Sequence, residues 1–225
     1  MDVVTPQEAA LRLGLSRSTT YGLIRSGALP ATRIGRGLVI EADDLRRFAT
    51  APRPTGRPWS ARSCWATLAA AGGWPLPFSL SRSERARAGE RAREIADLPS
   101  HRFDRRAEAS TWFCHPSLID VLRDDGRLCL AGASAAPAHR ADILAADLLE
   151  AYVRPDDLAA IAREYTLIPG AGDNVLLRVP SVTWPLPEGR FAPAVVVAWD
   201  LIDAGDQRSV RAGRALLRRL APATP

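Results

Sequence analysis

The 225-residue sequence predicts an α+β chain in three parts: a small helical head with a short hairpin, an arginine-rich helical middle, and a mixed α/β back half. Three observations predict it. The first fifty residues read as capped helical segments around one pair of short alternating strands. A stretch rich in proline, TAPRPTGRPW at 50–59, follows them as a linker. From about residue 106 onward, short apolar strands and helices succeed one another with few long loops, the pattern of a compact mixed domain. The expected division is 1–50, 51–106 and 107–225.

In the head, Thr5 caps a first helix and Pro6 fits its first turn, where no backbone hydrogen bond is lost. Ala9, Ala10, Leu11 and Leu13 supply its apolar face, and Gly14 ends it. Leu15 anchors the turn, and Ser16 or Ser18 caps a second helix that runs to about Ser26. That helix is expected to bury Tyr21, Leu23 and Ile24 and to turn Arg17, Thr19, Thr20 and Arg25 outward. ATRIGRGLVI then makes two alternating strands around Gly35, Arg36 and Gly37. A third helix, EADDLRRFA, packs back through Leu45 and Phe48.

Helix, tight turn, helix and basic hairpin together form a winged helix-turn-helix. A second helix of this kind fits a DNA major groove, and the hairpin reaches the adjacent backbone or minor groove. Arg17, Ser18, Thr19 and Thr20 are expected nearest the bases, with Tyr21 and Arg25 at the helix flank. Arg33 and Arg36 on the wing are expected to contact phosphates or the minor groove. The run TPQEAALRLGLSRSTTYGLIRSGALPATRIGRGLVIEADDLRRF resembles the excisionase-type, MerR-like winged-helix family over about a fifth of the chain. The resemblance implies binding of double-stranded DNA. Two features depart from the family: Gly22 inside the recognition helix, a cost of up to ~1 kcal/mol against alanine, and a wing reading Arg36-Gly37-Leu38 where the family often has two basic residues and an aromatic. A small helical protein-binding module is the alternative reading of the same stretch.

Charge agrees with a nucleic-acid partner. Residues 1–106 hold 18 arginines and 10 acids, a net of +8, whereas residues 107–225 hold 12 arginines and 15 acids, a net of −3. The positive field belongs to the first part, as a phosphate-tracking surface requires, and the net −3 speaks against DNA contact in the last. All 30 basic residues are arginine. The chain carries no apolar run of membrane-spanning length, and its start lacks the layout of a signal peptide, so a soluble, cytoplasmic protein is expected. Cys64, Cys114 and Cys129 form no CxxC pair and read as reduced thiols. The spacing of Cys114, His115, Cys129 and His139 matches no known zinc pattern, and no metal or cofactor is expected.

After the linker, SARSCWATLAAAGGW reads as a capped helix broken at Gly72-Gly73. SRSERARAGERAREIADLP reads as a basic helix capped at Ser81 or Ser83, with Ala86, Ala92, Ile95 and Ala96 inward. It is either a solvated helix laced with ion pairs or a second phosphate-contacting element. In the last part a helix is expected over 117–123, strands at RLCLAG, LLEAYV, YTLIP and NVLLRVP, a helix capped near Asp156, a further strand at APAVVVAWDLI, and a closing helix, GDQRSVRAGRALLRRL, with Val210, Ala215, Leu216, Leu217 and Leu220 available to the core.

Asn174-Val175, Asp200-Leu201, Arg208, Ala212 and Leu216-Leu217, in that order, resemble the C-terminal domain of AbiE-type antitoxins of toxin–antitoxin systems. The excisionase-like head is not that family's usual form. The resemblance implies an antitoxin that represses its own operon, with a nucleotidyltransferase-like toxin as partner. A single winged-helix head buries little surface, so repeated operator half-sites are expected, filled by a homodimer or by monomers side by side. An excisionase-like architectural factor is the first alternative. The second is an enzyme carried to DNA by its head. Against it, Asp200 at the end of a buried strand, Asp173, Asp156-Asp157, His115, His139 and the GAGDN turn assemble no catalytic set, and a non-enzymatic protein is expected.

Overall fold

In the computed structural model, residues 3–25, 29–34, 37–50, 57–143, 147–170 and 174–220 are described, except for the side chains at 18, 19, 22, 25, 33, 34, 37 and 50. The chain divides into two compact units, residues 1–55 and 56–225.

The first unit runs β1 (Val3–Val4), α1 (Pro6–Leu13), α2 (Arg17–Arg25), β2 (Thr32–Ile34), β3 (Gly37–Glu41) and α3 (Ala42–Thr50). Thr5 caps α1 as its sequence indicates, and Glu8 closes the capping box by accepting from the Thr5 backbone N–H at 2.8 Å. Gly14 ends the helix at φ 65°, the left-handed region, and the Leu15 N–H reaches back to the Ala10 carbonyl at 2.9 Å. β1 and β2 both pair antiparallel with β3, making a three-stranded sheet. Val4, Ala9, Leu29, Ile40 and Leu45 form the core, flanked by half-buried Leu13, Leu23, Ile24, Ala31 and Phe48. Leu11 does not join them and stands 78% exposed. Pro6, Ala9, Ala10 and Leu13 already fill the inward stripe at i, i+3, i+4 and i+7, which turns Leu11 outward.

The second unit contains α4 (Ala61–Gly72), α5 (Arg82–Arg93), β4 (Ala107–Phe113), α6 (Pro116–Arg123), β5 (Leu128–Leu130), α7 (Gly132–Ala135), β6 (Leu149–Val153), α8 (Pro155–Glu164), β7 (Ile168–Pro169), β8 (Val175–Pro180), α9 (Ala194–Asp203) and α10 (Gln207–Leu220). Its sheet has the order β5-β6-β8-β4-β7, with β6 and β8 parallel and the other pairs antiparallel. β6 is buried along its whole length, as a central strand covered on both faces must be.

The expected boundary at 106/107 does not hold. Cys64, Trp65, Leu68, Ile95 and Phe103 belong to the same core as the sheet. The Trp65 indole N–H donates to the Arg106 carbonyl at 2.8 Å, and its ring meets Tyr152 edge-on at 5.7 Å. The end of the supposed linker is fixed as well: the Trp59 N–H donates to the Arg102 carbonyl, and the Arg102 guanidinium donates to the Arg57 carbonyl. Residues 51–56 lie outside the described residues. The basic helix α5 packs beside α4 through Ala88, with Arg91 stacked 4.0 Å over Trp59. Ala86 is exposed, and Glu84 pairs with Arg62 of α4 at 2.9 Å rather than with an arginine of its own helix.

The expected strand at 192–202 is largely a helix, α9, and every residue from 195 to 202 is buried. An apolar run with no polar face reads alike for a central strand and for a helix covered on all sides. Its three valines tilt the reading toward a strand, and packing overrides that propensity. α10 lies against α9 so closely that a Cβ on Gly213 would stand 2.5 Å from the Ala198 carbonyl oxygen. α10 buries Ser209, Gly213, Leu216 and Leu217, while Ala215 and Leu220 face outward. Where α8 was expected to be capped near Asp156, its first turn starts from Arg154 and Pro155 without a side-chain cap.

Between the sheet and these helices lies a buried charge network. Asp200 Oδ1 accepts from Arg106 at 2.6 Å and from the Tyr152 hydroxyl at 2.9 Å, and Arg178 approaches it to 3.5 Å. Arg178 also pairs with Glu150 at 2.8 Å, and Arg106 with Asp203 at 2.6 Å. Burial opposes the Arg106 charge, but Tyr152, Asp203 and Asp200 outweigh it and hold the guanidinium protonated far above its ordinary range. Burial likewise pushes the Glu150 carboxyl up, against the pull of Arg178.

Two outcomes are expected in urea unfolding of the full chain. Asp200→Ala removes the carboxylate shared by Arg106, Tyr152 and Arg178, leaves the two buried guanidiniums only Asp203 and Glu150, and should cost the larger unit about 3–5 kcal/mol. Gly213→Ala must push α10 off α9 and should cost about 1–3 kcal/mol. An unchanged midpoint in either variant contradicts the packing described.

Candidate nucleic-acid interface

The first unit places its second helix by the phase of its buried face. Thr20 is fully buried, and Leu23 and Ile24 are half-buried, the i, i+3, i+4 spacing of one helical stripe. The Thr20 hydroxyl donates to the Ser16 carbonyl at 3.1 Å, so the polar atom is satisfied inside the unit. Arg17 is exposed, and Tyr21, one turn on, is 44% exposed. Two expectations are corrected here: Thr20 does not face outward toward bases, and Tyr21 is not buried in the core. The sequence carried the signal, since Thr20 stands three and four residues before Leu23 and Ile24, and Tyr21 stands on that stripe only relative to Ile24.

Arg17 therefore leads the outward face of α2, with Tyr21 four residues behind it. Ser18, Thr19 and Arg25 lie on the same helix, and Arg33 lies on β2, but their side chains are outside the described part. Arg36 lies outside the described residues. Two other arginines of the unit are paired on α3, Arg46 with Asp43 and Arg47 with Asp44. The Arg46 hydrogen bond holds the Asp43 carboxyl below its usual range. Arg17 has no ion-pair partner among the described residues, so its guanidinium is available to a ligand.

A family model described as a helix-turn-helix domain matches residues 3–53. No curated protein and no solved structure matches the chain. The match covers the helix-turn-helix of the first unit and ends before the second unit begins.

In that second unit, the cysteines and histidines sit in separate local contacts. Cys114 and Cys129 are buried thiols. His115 Nδ1 lies 2.7 Å from the Ser117 hydroxyl at the start of α6, and His139 Nε2 lies 2.8 Å from the Ala192 carbonyl oxygen. No group of three or more metal-ligating side chains occurs among the described residues. No helix among them is long and apolar enough to cross a membrane. One basic feature escaped the sequence reading: α10 carries five arginines and no acid, and borders a groove with Arg140.

Thr20→Val provides a check on the helix phase. Because the side chain faces the core, the substitution should alter stability of the first unit by about 1 kcal/mol and leave the ranking of DNA sequences by affinity unchanged. A changed ranking in competition binding shows that Thr20 reads bases.

Proposed function

We propose that the protein is a DNA-binding transcription regulator that represses its own operon. One observation carries the reading: α2 presents Arg17 and Tyr21 outward from a packed helix-turn-helix, with Arg17 unpaired among the described residues. An arginine at the start of a recognition helix is placed to meet the edge of a guanine, and a tyrosine one turn later to meet the flanking backbone. Ser18, Thr19 and Arg25 complete the helix's set of candidate contacts. The hairpin of β2 and β3 serves as the wing, with Arg33 and Arg36 on the phosphates or in the minor groove. One such domain reads a short site, so the operator is expected to repeat its half-sites, and pairing of two chains would supply the avidity.

The 56–225 unit acts in this reading as a partner-binding module rather than an enzyme, and as the antitoxin part of a toxin–antitoxin pair. The ordered likeness to AbiE-type antitoxins supports it. Its matching positions are largely the ones that build the unit: Asn174 exchanges hydrogen bonds with the Cys114 backbone at 2.8 and 2.7 Å, Asp200 centres the buried network, and Leu216 and Leu217 are core. An excisionase-like factor is favoured less, because bending DNA needs no second unit of 170 residues with a core of its own.

The test is gel-shift titration of the full chain on duplex DNA from upstream of its own gene. Binding is expected, and Arg17→Ala should weaken it by about 1–3 kcal/mol and relax sequence preference. Lack of binding to that DNA would falsify the regulator reading. Co-expression with the neighbouring gene separates the antitoxin role, which requires residues 56–225 for any protection of the cell.

A further inference from the structure

We propose that the arginine groove along α10 is a second, sequence-independent contact for the phosphate backbone of the DNA held by the helix-turn-helix domain. The proposal rests on the DNA-binding reading above. The groove has a volume of about 750 Å³, and Arg140, Arg208, Arg211, Arg218 and Arg219 line it against a single carboxylate, Asp142. All five arginines are exposed. The net −3 of residues 107–225 conceals this surface, because five of the twelve arginines gather here while Glu150 and Asp200 are buried in the charge network.

The groove is organised before any ligand arrives. The Arg219 guanidinium donates to the His139 and Arg140 carbonyls at 2.9 and 3.3 Å, tying the last turn of α10 to the 139–142 turn. Arg140 itself stands at φ 55°, closing the short 3-10 turn Pro137–His139. Asp142 neutralises little: it lies 3.7 Å from Arg208 with both side chains in solvent. Arg211 and Arg218 have no ion-pair or hydrogen-bond partner among the described residues.

The shape and chemistry select the occupant. Residues 208, 211, 215 and 218 share one face of α10, and the eleven steps from Arg208 to Arg219 extend ~16 Å at the helical rise. A strand of duplex DNA winds as it advances ~3.4 Å along the axis per phosphate, so a straight face of this length meets about two or three phosphates of one strand. Ala141, Ala212 and Ala215 form the floor and let a polymer backbone approach closely. No aromatic residue lines the groove, so it lacks the ring platforms on which single-stranded binders stack successive bases. It also lacks the aromatic and large apolar anchors that the core of a protein interface uses. Arginines on a bare floor give contacts that position a duplex without reading it.

The experiment uses the full chain and two duplexes of equal length, one from upstream of its gene and one of unrelated sequence, titrated between 50 and 200 mM salt. Two variants are compared with the parent: the double substitution Arg211→Ala/Arg218→Ala, and Ala215→Glu, which places a carboxylate on the exposed floor. The double variant should weaken binding to both duplexes by a similar factor. Its log Kd against log salt slope should fall by about 2, so that the parent loses about tenfold more affinity than the variant across that range. Ala215→Glu should weaken both duplexes too, and it carries the test alone if the double variant unfolds at a lower temperature than the parent. Unchanged slope and affinity in a parent chain that does bind DNA overturns the groove and leaves the regulator reading standing. An effect confined to one duplex overturns the sequence-independent contact. A parent that binds neither duplex overturns both.

Discussion

The larger unit is built around one buried carboxylate. Asp200 sits on a helix whose every other core position is apolar, and it draws Arg106, Tyr152 and Arg178 from three separate stretches of chain onto a single oxygen. Each of those groups would be costly to bury alone. Once they are together, the segment ending at Arg106, the central strands β6 and β8, and α9 can occupy only one mutual arrangement that satisfies them all. Apolar packing alone tolerates sliding and repacking; a charge with directional donors does not. The register that sets Tyr152 opposite Arg178 across parallel strands is the same register that brings both to Asp200.

This constraint explains why the middle of the chain belongs to the second unit. Arg106 is the last residue of the stretch that composition assigns to a basic, solvent-facing segment, yet it is 4% exposed. Its carbonyl receives the Trp65 indole, and its charge enters the sheet, so α4 is held to β6 through the same residue. Net charge sums over positions without regard to depth. It counts Arg106 and Arg178 as surface cations, which they are not, and it dilutes the arginines of α10 with acids that lie elsewhere.

Local signals in the sequence carried the head almost to its side chains. Thr5, Pro6 and Gly14 set the ends of α1 by chemistry that acts within a single turn, and each is found in that role. The phase of α2 was harder, because Tyr21 and Thr20 compete for one face and residue type favours the wrong one. Aromatic rings are usually inside and hydroxyls outside, but here Leu23 and Ile24 fix the rotation and the threonine hydroxyl finds a carbonyl within its own helix. In the second unit, helices with an amphipathic stripe were legible, as α6, α8 and α10 show. α9 was not, since a helix enclosed on every side has no polar face from which to count a period. The groove beside α10 was not legible either. It needs Arg140, 79 residues away in sequence, to be brought back by Arg219.

The three cysteines have a practical meaning that follows from where they lie. Cys64, Cys114 and Cys129 are all buried in the second unit, and burial pushes the Cys64 and Cys129 thiols up to about 12. At neutral pH they are neither nucleophilic nor within reach of an oxidant, and the first unit has no sulfhydryl at all. A thiol-specific reagent can label this chain only during an opening of the larger unit. Labelling rate is therefore a clock for that unit's fluctuations, silent about the helix-turn-helix head, and it comes built into the natural sequence.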